Sequence, residues 1–256
     1  MQAVIFCGGK GTRISGGDQA VKKELVEVGG QPILWHVMKI LATYGYQEFI
    51  LPLGYRGEMI RRYFLEYNWM HRNVSFCLGQ TDDACFHDNH DESSWQITLV
   101  DTGLETNKGE RIHQIARHVT SERFFLLYGD DVADVDIPAL VDFHLGHGKQ
   151  ITVTGYQPAY QYGVVDVTPE GRVTDYYQYP RLDHWINAGY MILERTALDE
   201  LDAGMDLETE FLVKMARQGE LMLYRHVGFW RSMNTFKDAQ ALNELWDSGN
   251  APWKVW

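Results

Sequence analysis

A chain of 256 residues, 45% of them apolar, is long enough to bury one sizeable α/β core. Its formal net charge of −12 repels a phosphate backbone and argues against nucleic acid as a partner. Three cysteines, Cys7, Cys77 and Cys85, make no disulfide framework, and no C-x-x-C pair points to zinc. The opening Met1-Gln2-Ala3-Val4-Ile5-Phe6-Cys7 lacks a basic n-region and holds too short an apolar run for a signal peptide. No apolar stretch approaches the ~20 residues that cross a bilayer. A reducing cytoplasm is therefore the expected compartment, with no membrane partner.

Residues 2–6 form a short apolar run that meets Gly8-Gly9-Lys10-Gly11, as buried parallel strands ending in glycine do. Pro32 stands where a helix begins, and Ile33, Leu34, Val37, Met38, Ile40 and Leu41 follow at helical spacing. Residues 48–53 read as a second strand, and 57–67 as a helix with Ile60, Tyr63 and Phe64 on one face. Residues 74–78 and 96–100 are further strands, and the polar stretch 79–94 between them reads as a loop. A helix is expected over 111–119, an apolar strand over 124–128 running into Gly129-Asp130-Asp131, and a helix over 137–145. This alternation predicts a doubly wound, mostly parallel sheet. Beyond residue 150 the character changes. Residues 151–156, 163–167, 173–177 and 188–193 are strand-like, with turn signals such as Pro169-Glu170-Gly171, and 207–217 and 239–245 are helical. Without repeats or linkers, one compact unit is expected.

Three constellations bear on chemistry. Gly8-Gly9-Lys10-Gly11-Thr12-Arg13 follows the first strand. Glycines let a backbone approach a phosphate and turn its N–H groups inward, and Lys10 and Arg13 add positive charge against a triphosphate. The segment lacks a full G-x-G-x-x-G and the G-K-[ST] ending of a P-loop, so a plain tight turn accounts for it equally well. Lys22-Lys23 is either a solvated face or a lysine that reaches an α-phosphate and offsets charge during transfer. Gly129-Asp130-Asp131 stands beyond the carboxyl end of an apolar strand, where open α/β sheets bind ligands. Carboxylates there hold Mg²⁺ or cap the next turn.

In this order the pieces resemble the glucose-1-phosphate cytidylyltransferase family, within the wider sugar-nucleotide pyrophosphorylases. Gly8-Gly9-Lys10-Gly11-Thr12-Arg13 is similar to the group's G-G-x-G-T-R, and Val26–His36 to a V-E-I-G-G-x-P-I-L-W-H segment. Leu99-Val100-Asp101-Thr102-Gly103, Tyr128-Gly129-Asp130 and Ala251-Pro252-Trp253-Lys254 resemble segments of the cytidylyl branch. The likeness covers nearly the whole chain. It implies a Rossmann-like, doubly wound mixed sheet with a smaller β-rich acceptor-binding portion. Residues 1–256 would form one nucleotidyltransferase domain, with a nucleotide-binding half over about 1–150 and an acceptor-binding half over about 151–256. The implied reaction is CTP plus a sugar 1-phosphate giving a CDP-sugar and pyrophosphate, with Mg²⁺, by positioning and charge neutralisation. By the same resemblance Lys23 is the α-phosphate lysine, Arg13 binds the triphosphate and Asp130 holds Mg²⁺. Gly8, Gly9, Lys10, Gly11, Thr12, Arg111 and Gly129 line the nucleotide site. Tyr179, Asn187 and Gly189 fall on the acceptor segments. The family likeness also implies a homo-oligomer.

Four positions depart from the family pattern. P-K-P-M becomes Lys22-Lys23-Glu24-Leu25, which loses two prolines and sets Glu24 beside Lys23, so a looser loop is expected. M-D-T becomes Met233-Asn234-Thr235, and a neutral amide holds Mg²⁺ more weakly than a carboxylate. Asp131, where the family has glycine, is a candidate to restore that charge. E-K-P becomes Gln178-Tyr179-Pro180, which removes a cation for the acceptor phosphate, and N-G-G becomes Asn187-Ala188-Gly189. The pattern leaves three readings open. The chain is a cytidylyltransferase for a sugar 1-phosphate, one for another phosphorylated acceptor such as an amino-acid phosphate or phosphonate, or a nucleotide-binding regulator without turnover. His87 and His90, among Asp82, Asp83, Asp88, Asp91 and Glu92, are read as part of a solvated loop rather than a metal site. His36 is read as a core histidine.

Overall fold

The computed structural model describes residues 1–9, 22–160, 162–181 and 183–256, and Lys10, Gly11, Thr12 and Arg13 lie outside the described residues. In the first half the described elements are β1 (Gln2–Phe6), β2 (Glu27–Val28), β3 (Gln31–Pro32), α1 (Ile33–Thr43), β4 (Glu48–Leu53), α2 (Gly57–Leu65), α3 (Tyr67–His71), β5 (Val74–Cys77), β6 (Gln80–Phe86), β7 (Gln96–Asp101), α4 (Lys108–Ile115), β8 (Arg123–Tyr128), β9 (Asp131–Ala133) and α5 (Ile137–His147). Then follow β10 (Ile151–Tyr156), β11 (Val164–Val167), β12 (Val173–Tyr177), β13 (Ile186–Glu194), α6 (Leu212–Arg217), β14 (Leu221–Arg225), β15 (Trp230–Ser232) and α7 (Phe236–Asp247).

A seven-stranded sheet in the order β14-β10-β13-β8-β1-β4-β7 is the centre of the molecule. β8, β1, β4 and β7 run parallel, and β13 opposes both of its neighbours. Successive side chains of a strand point to opposite faces. Ala3, Ile5, Phe125 and Leu127 therefore pack toward α1 and α5, while Val4, Phe6, Phe124 and Leu126 pack toward α4 and the turn at Leu207–Phe211. Both faces are covered, which is why these strands are apolar throughout rather than alternating. The chain leaves β1 toward β4 and β7 on one side and later returns to β8 on the other. That reversal opens a crevice beyond the carboxyl ends of β1 and β8. No helix among the described residues is long and apolar enough to cross a membrane.

One expectation is corrected. The polar stretch read as a loop contains β6, paired antiparallel with β5. β6 is largely exposed, and its Gln80-Thr81-Asp82-Asp83 start is polar at every position, so it carries no period-two apolar pattern to be read. Backbone hydrogen bonds and the contacts of Phe76 and Phe86 with Trp69 hold this ribbon. His87 and His90 bond Ser75 and Asn68, and Lys39 pairs with Asp91 and Glu92.

α1 is buried from Ile33 to Ala42, polar residues included. His36 Nε2 donates to the Val28 carbonyl at 2.7 Å, and Trp253 Nε1 donates to His36 Nδ1 at 3.3 Å. The ring is thus neutral and ties the end of the chain to α1. Burial lowers its pKa from 6.5 to about 4. An unfolded chain takes up this proton near pH 6.5 and the folded chain only near pH 4, so the stability it carries is full above the higher value and lost as pH falls. Unfolding free energies from urea melts at pH 7.5 and 4.5 should differ by roughly 2–3 kcal/mol more in the natural chain than in His36→Gln.

Candidate active site

The crevice starts with Gly8 and Gly9, which leave β1. A side chain at Gly8 has no room, because a Cβ there would fall inside the Arg111 guanidinium. Arg111 is buried and comes from α4. It donates to the carbonyls of Leu53 at 3.0 Å, Gly8 at 3.3 Å and Leu104 at 3.5 Å, and to the Thr102 hydroxyl. These acceptors lie at or beyond the ends of β1, β4 and β7. The structure thus places Arg111 beneath the crevice, with its donors committed to the backbone.

Lys22 and Glu24 flank the candidate phosphate lysine, and both are buried. Lys22 Nζ donates to the Gly9 carbonyl at 2.7 Å and lies 3.4 Å from Glu24 Oε2. Burial pushes the Glu24 carboxyl up, and the Lys22 charge draws it back. Side-chain contacts stand where the family has prolines. Where prolines would stiffen the backbone, an ion pair pins it to Gly9, and Glu24 answers Lys22 rather than Lys23. The intervening Lys23 points into the crevice. Its ammonium pairs with Asp130 and donates to Asn234 Oδ1 at 2.8 Å.

Asp130 follows Gly129 at the end of β8, and Asp131 opens β9 against Ser232 of β15. Asp131 is only 4% exposed. Burial, then the neighbouring Asp130 charge, pushes its pKa up to about 8, with the Ser232 hydroxyl acting against the rise. It lies over Gly189, whose φ of +80° and close approach to Asp131 and Tyr128 leave no place for a side chain. The Asn187 carboxamide oxygen accepts from the Gly189 N–H at 2.9 Å, so this pair shapes the floor behind Asp131.

Two adjoining cavities, of about 450 Å³ and 410 Å³, share Phe6, Gly9 and Lys108. The first is bordered by Lys23, Asp130, Asp131, Asn234, Tyr128 and Trp230, the second by Gly8, Arg111 and Glu208. Gly8, Gly9, Lys23, Arg111, Asp130, Asp131 and Asn234 therefore gather at one crevice, with Gly129 at its edge. Tyr179 does not join them: it is 61% exposed and borders neither cavity. Sequence reasoning missed Lys108, Glu208, Trp230 and Ser232. Lys108 adjoins the predicted helix at Arg111, but nothing local to Glu208 shows that it meets Lys108 and the Tyr128 hydroxyl.

A family model described as Nucleotidyl transferase matches residues 2–247. The chain is 40% identical to the glucose-1-phosphate cytidylyltransferase of Salmonella typhimurium over the full length of both. It is 38% identical, again end to end, to a probable glucose-1-phosphate cytidylyltransferase of Bacillus subtilis. Among solved structures it is similar to HddC from Yersinia pseudotuberculosis complexed with GMP-PN, with a TM-score of 0.68 at 19% identity, covering 96% of this chain and 99% of that one. A putative glucose-1-phosphate thymidylyltransferase from Bacillus anthracis gives a TM-score of 0.66 at 16% identity, over 96% and 95% of the two chains. At such identities the structures bear on the fold alone.

Arg111→Met should leave the carbonyls of Gly8, Leu53 and Leu104 without their shared donor. The expected loss is about 3 kcal/mol, seen as a lower urea midpoint with an unchanged denaturant slope.

Proposed function

The chain belongs to the nucleotidyl transferase family, and we propose that it is a cytidylyltransferase joining CTP to a sugar 1-phosphate, with a CDP-sugar and pyrophosphate as products. The end-to-end likeness to a glucose-1-phosphate cytidylyltransferase supports this reading most directly. The geometry agrees with it, since Lys23, Asp130 and Gly9 meet where an open sheet binds ligands. In this reading residues 1–150 bind the nucleotide and 151–256 shape the acceptor site. The reading extends to a cytoplasmic setting and a homo-oligomer, which size-exclusion chromatography tests.

Asp130, Asn234 and Asp131, with Ser232 beside them, offer only oxygen donors to the cavity. Mg²⁺ prefers such donors and needs only one or two carboxylates, because substrate phosphates and water complete its shell. No group of three or more His, Cys, Asp or Glu that could hold a metal ion gathers among the described residues. Asp130 and Asn234 would hold the ion, which when bound supplies positive charge to the triphosphate.

The chain's own part is positioning and neutralisation. Lys23 turns from Asp130 to the α-phosphate, where an ammonium matters most as negative charge builds. An oxygen of the acceptor phosphate attacks the α-phosphorus in line. The bond from that phosphorus to the bridging oxygen breaks, and its electron pair leaves with pyrophosphate. No covalent link to the protein is needed. A second reading keeps the nucleotide chemistry and changes the acceptor. It is favoured by the exposed Tyr179 in the uncharged Gln178-Tyr179-Pro180 and by Asp131 beside Gly189.

Pyrophosphate release from CTP and Mg²⁺, with glucose 1-phosphate, other sugar 1-phosphates and phosphonates as acceptors, separates these readings. Lys23→Ala should lower kcat about a hundredfold or more. Asn234→Asp should lower the Mg²⁺ concentration that gives half-maximal rate, because a carboxylate replaces an amide oxygen. Thermal stabilisation by CTP without turnover on any acceptor would mark a nucleotide-binding regulator instead.

A further inference from the structure

Two anions must meet in the proposed reaction, a nucleoside triphosphate and a phosphate monoester, and their repulsion grows as they approach. A cation at the meeting point relieves it. Among the described residues of the crevice, most cations are already committed. Lys22 is buried on Gly9 and Glu24. Arg111 is buried under backbone carbonyls. Lys23, between Asp130 and Asn234, is assigned to the α-phosphate in the reading above.

Lys108 is placed differently. It borders both cavities, so it stands at the seam between them. Its side chain is 44% exposed, and its ammonium sits 4.4 Å from the centre of the Tyr128 ring. Its partner is Glu208, which also accepts from the Tyr128 hydroxyl at 2.7 Å. Lys108 and Glu208 are anchored on separate walls. Asn107 caps the helix that begins at Lys108, and Asp206 caps the turn that carries Glu208. The pair is thus held at the seam by two independent backbones, and Tyr128 fixes the lysine from below.

From this juxtaposition we propose that Lys108 binds the acceptor phosphate, and that Glu208 and Tyr128 hold its ammonium ready at the seam until the phosphate takes the carboxylate's place. A phosphate monoester carries close to two negative charges and three acceptor oxygens against one charge on Glu208, so the exchange favours the phosphate. The assignment rests on the reading of the chain as a sugar-phosphate nucleotidyltransferase. It also accounts for a neutral Gln178-Tyr179-Pro180, because Lys108 supplies the cation for the acceptor instead.

Steady-state pyrophosphate release from CTP and glucose 1-phosphate is measured for the full chain, Lys108→Met, Lys108→Gln and Lys108→Arg. Either neutral variant should raise KM for glucose 1-phosphate about tenfold to a hundredfold, the worth of a charge-assisted hydrogen bond, while KM for CTP moves less than about twofold. Lys108→Arg should recover most of the loss. The two neutral variants guard against one of them failing to fold. An unchanged KM for glucose 1-phosphate in an active neutral variant overturns the assignment and leaves the cytidylyltransferase reading intact. If the natural chain turns over no sugar 1-phosphate, that reading fails instead, and calorimetric titration of inorganic phosphate with CTP present decides the role of Lys108. Binding about tenfold weaker in Lys108→Gln than in the natural chain sustains it. Equal binding, or none to the natural chain, overturns it.

Discussion

The guanidinium of Arg111 is the constraint from which the rest of the crevice follows. A buried cation is costly unless its donors are satisfied. Arg111 meets that requirement with backbone carbonyls and a hydroxyl from the mouths of three parallel strands, and with no direct carboxylate partner among the described residues. One side chain thereby sets the spacing of Gly8, Leu53 and Leu104. The absence of a side chain at position 8 follows from this packing before any ligand is considered.

Around that anchor the charges are paired in advance. Lys22 answers Glu24, Lys23 answers Asp130, and Lys108 answers Glu208. In a chain of net charge −12, a nucleotide is not drawn by the overall field, so the attraction must come from a few local cations. Pairing keeps those cations fixed in the free protein, and an incoming phosphate replaces a carboxylate rather than recruiting a free side chain. Preorganised charge of this kind loses little to reorganisation during a reaction. Asp131 fits the same logic. Its carboxyl is pushed toward the neutral form by burial and then by the neighbouring Asp130 charge.

The departures from the family pattern acquire physical content once the side chains are placed. Losing two prolines around Lys23 does not leave the segment unsupported, because Lys22 and Glu24 form a buried pair in their stead. Asn234 offers an oxygen to the same ammonium that Asp130 holds. Tyr179, which stands on an acceptor segment in sequence, is exposed to solvent and borders neither cavity.

Sequence by itself determined the sheet and the two junctions at its centre. Strands buried on both faces read as apolar runs, and a run that stops at Gly8-Gly9 or Gly129-Asp130 marks a strand mouth through backbone chemistry alone. The same local logic missed β6, because the side chains of this exposed strand are polar through Asp83. Only the tertiary structure decided which charges share a space. Lys23 meets Asn234 across 211 positions of chain, and Lys108 meets Glu208 across 100. No local propensity encodes such meetings. They arise when the covered sheet brings distant loops to one edge, where oppositely charged side chains face each other across the crevice.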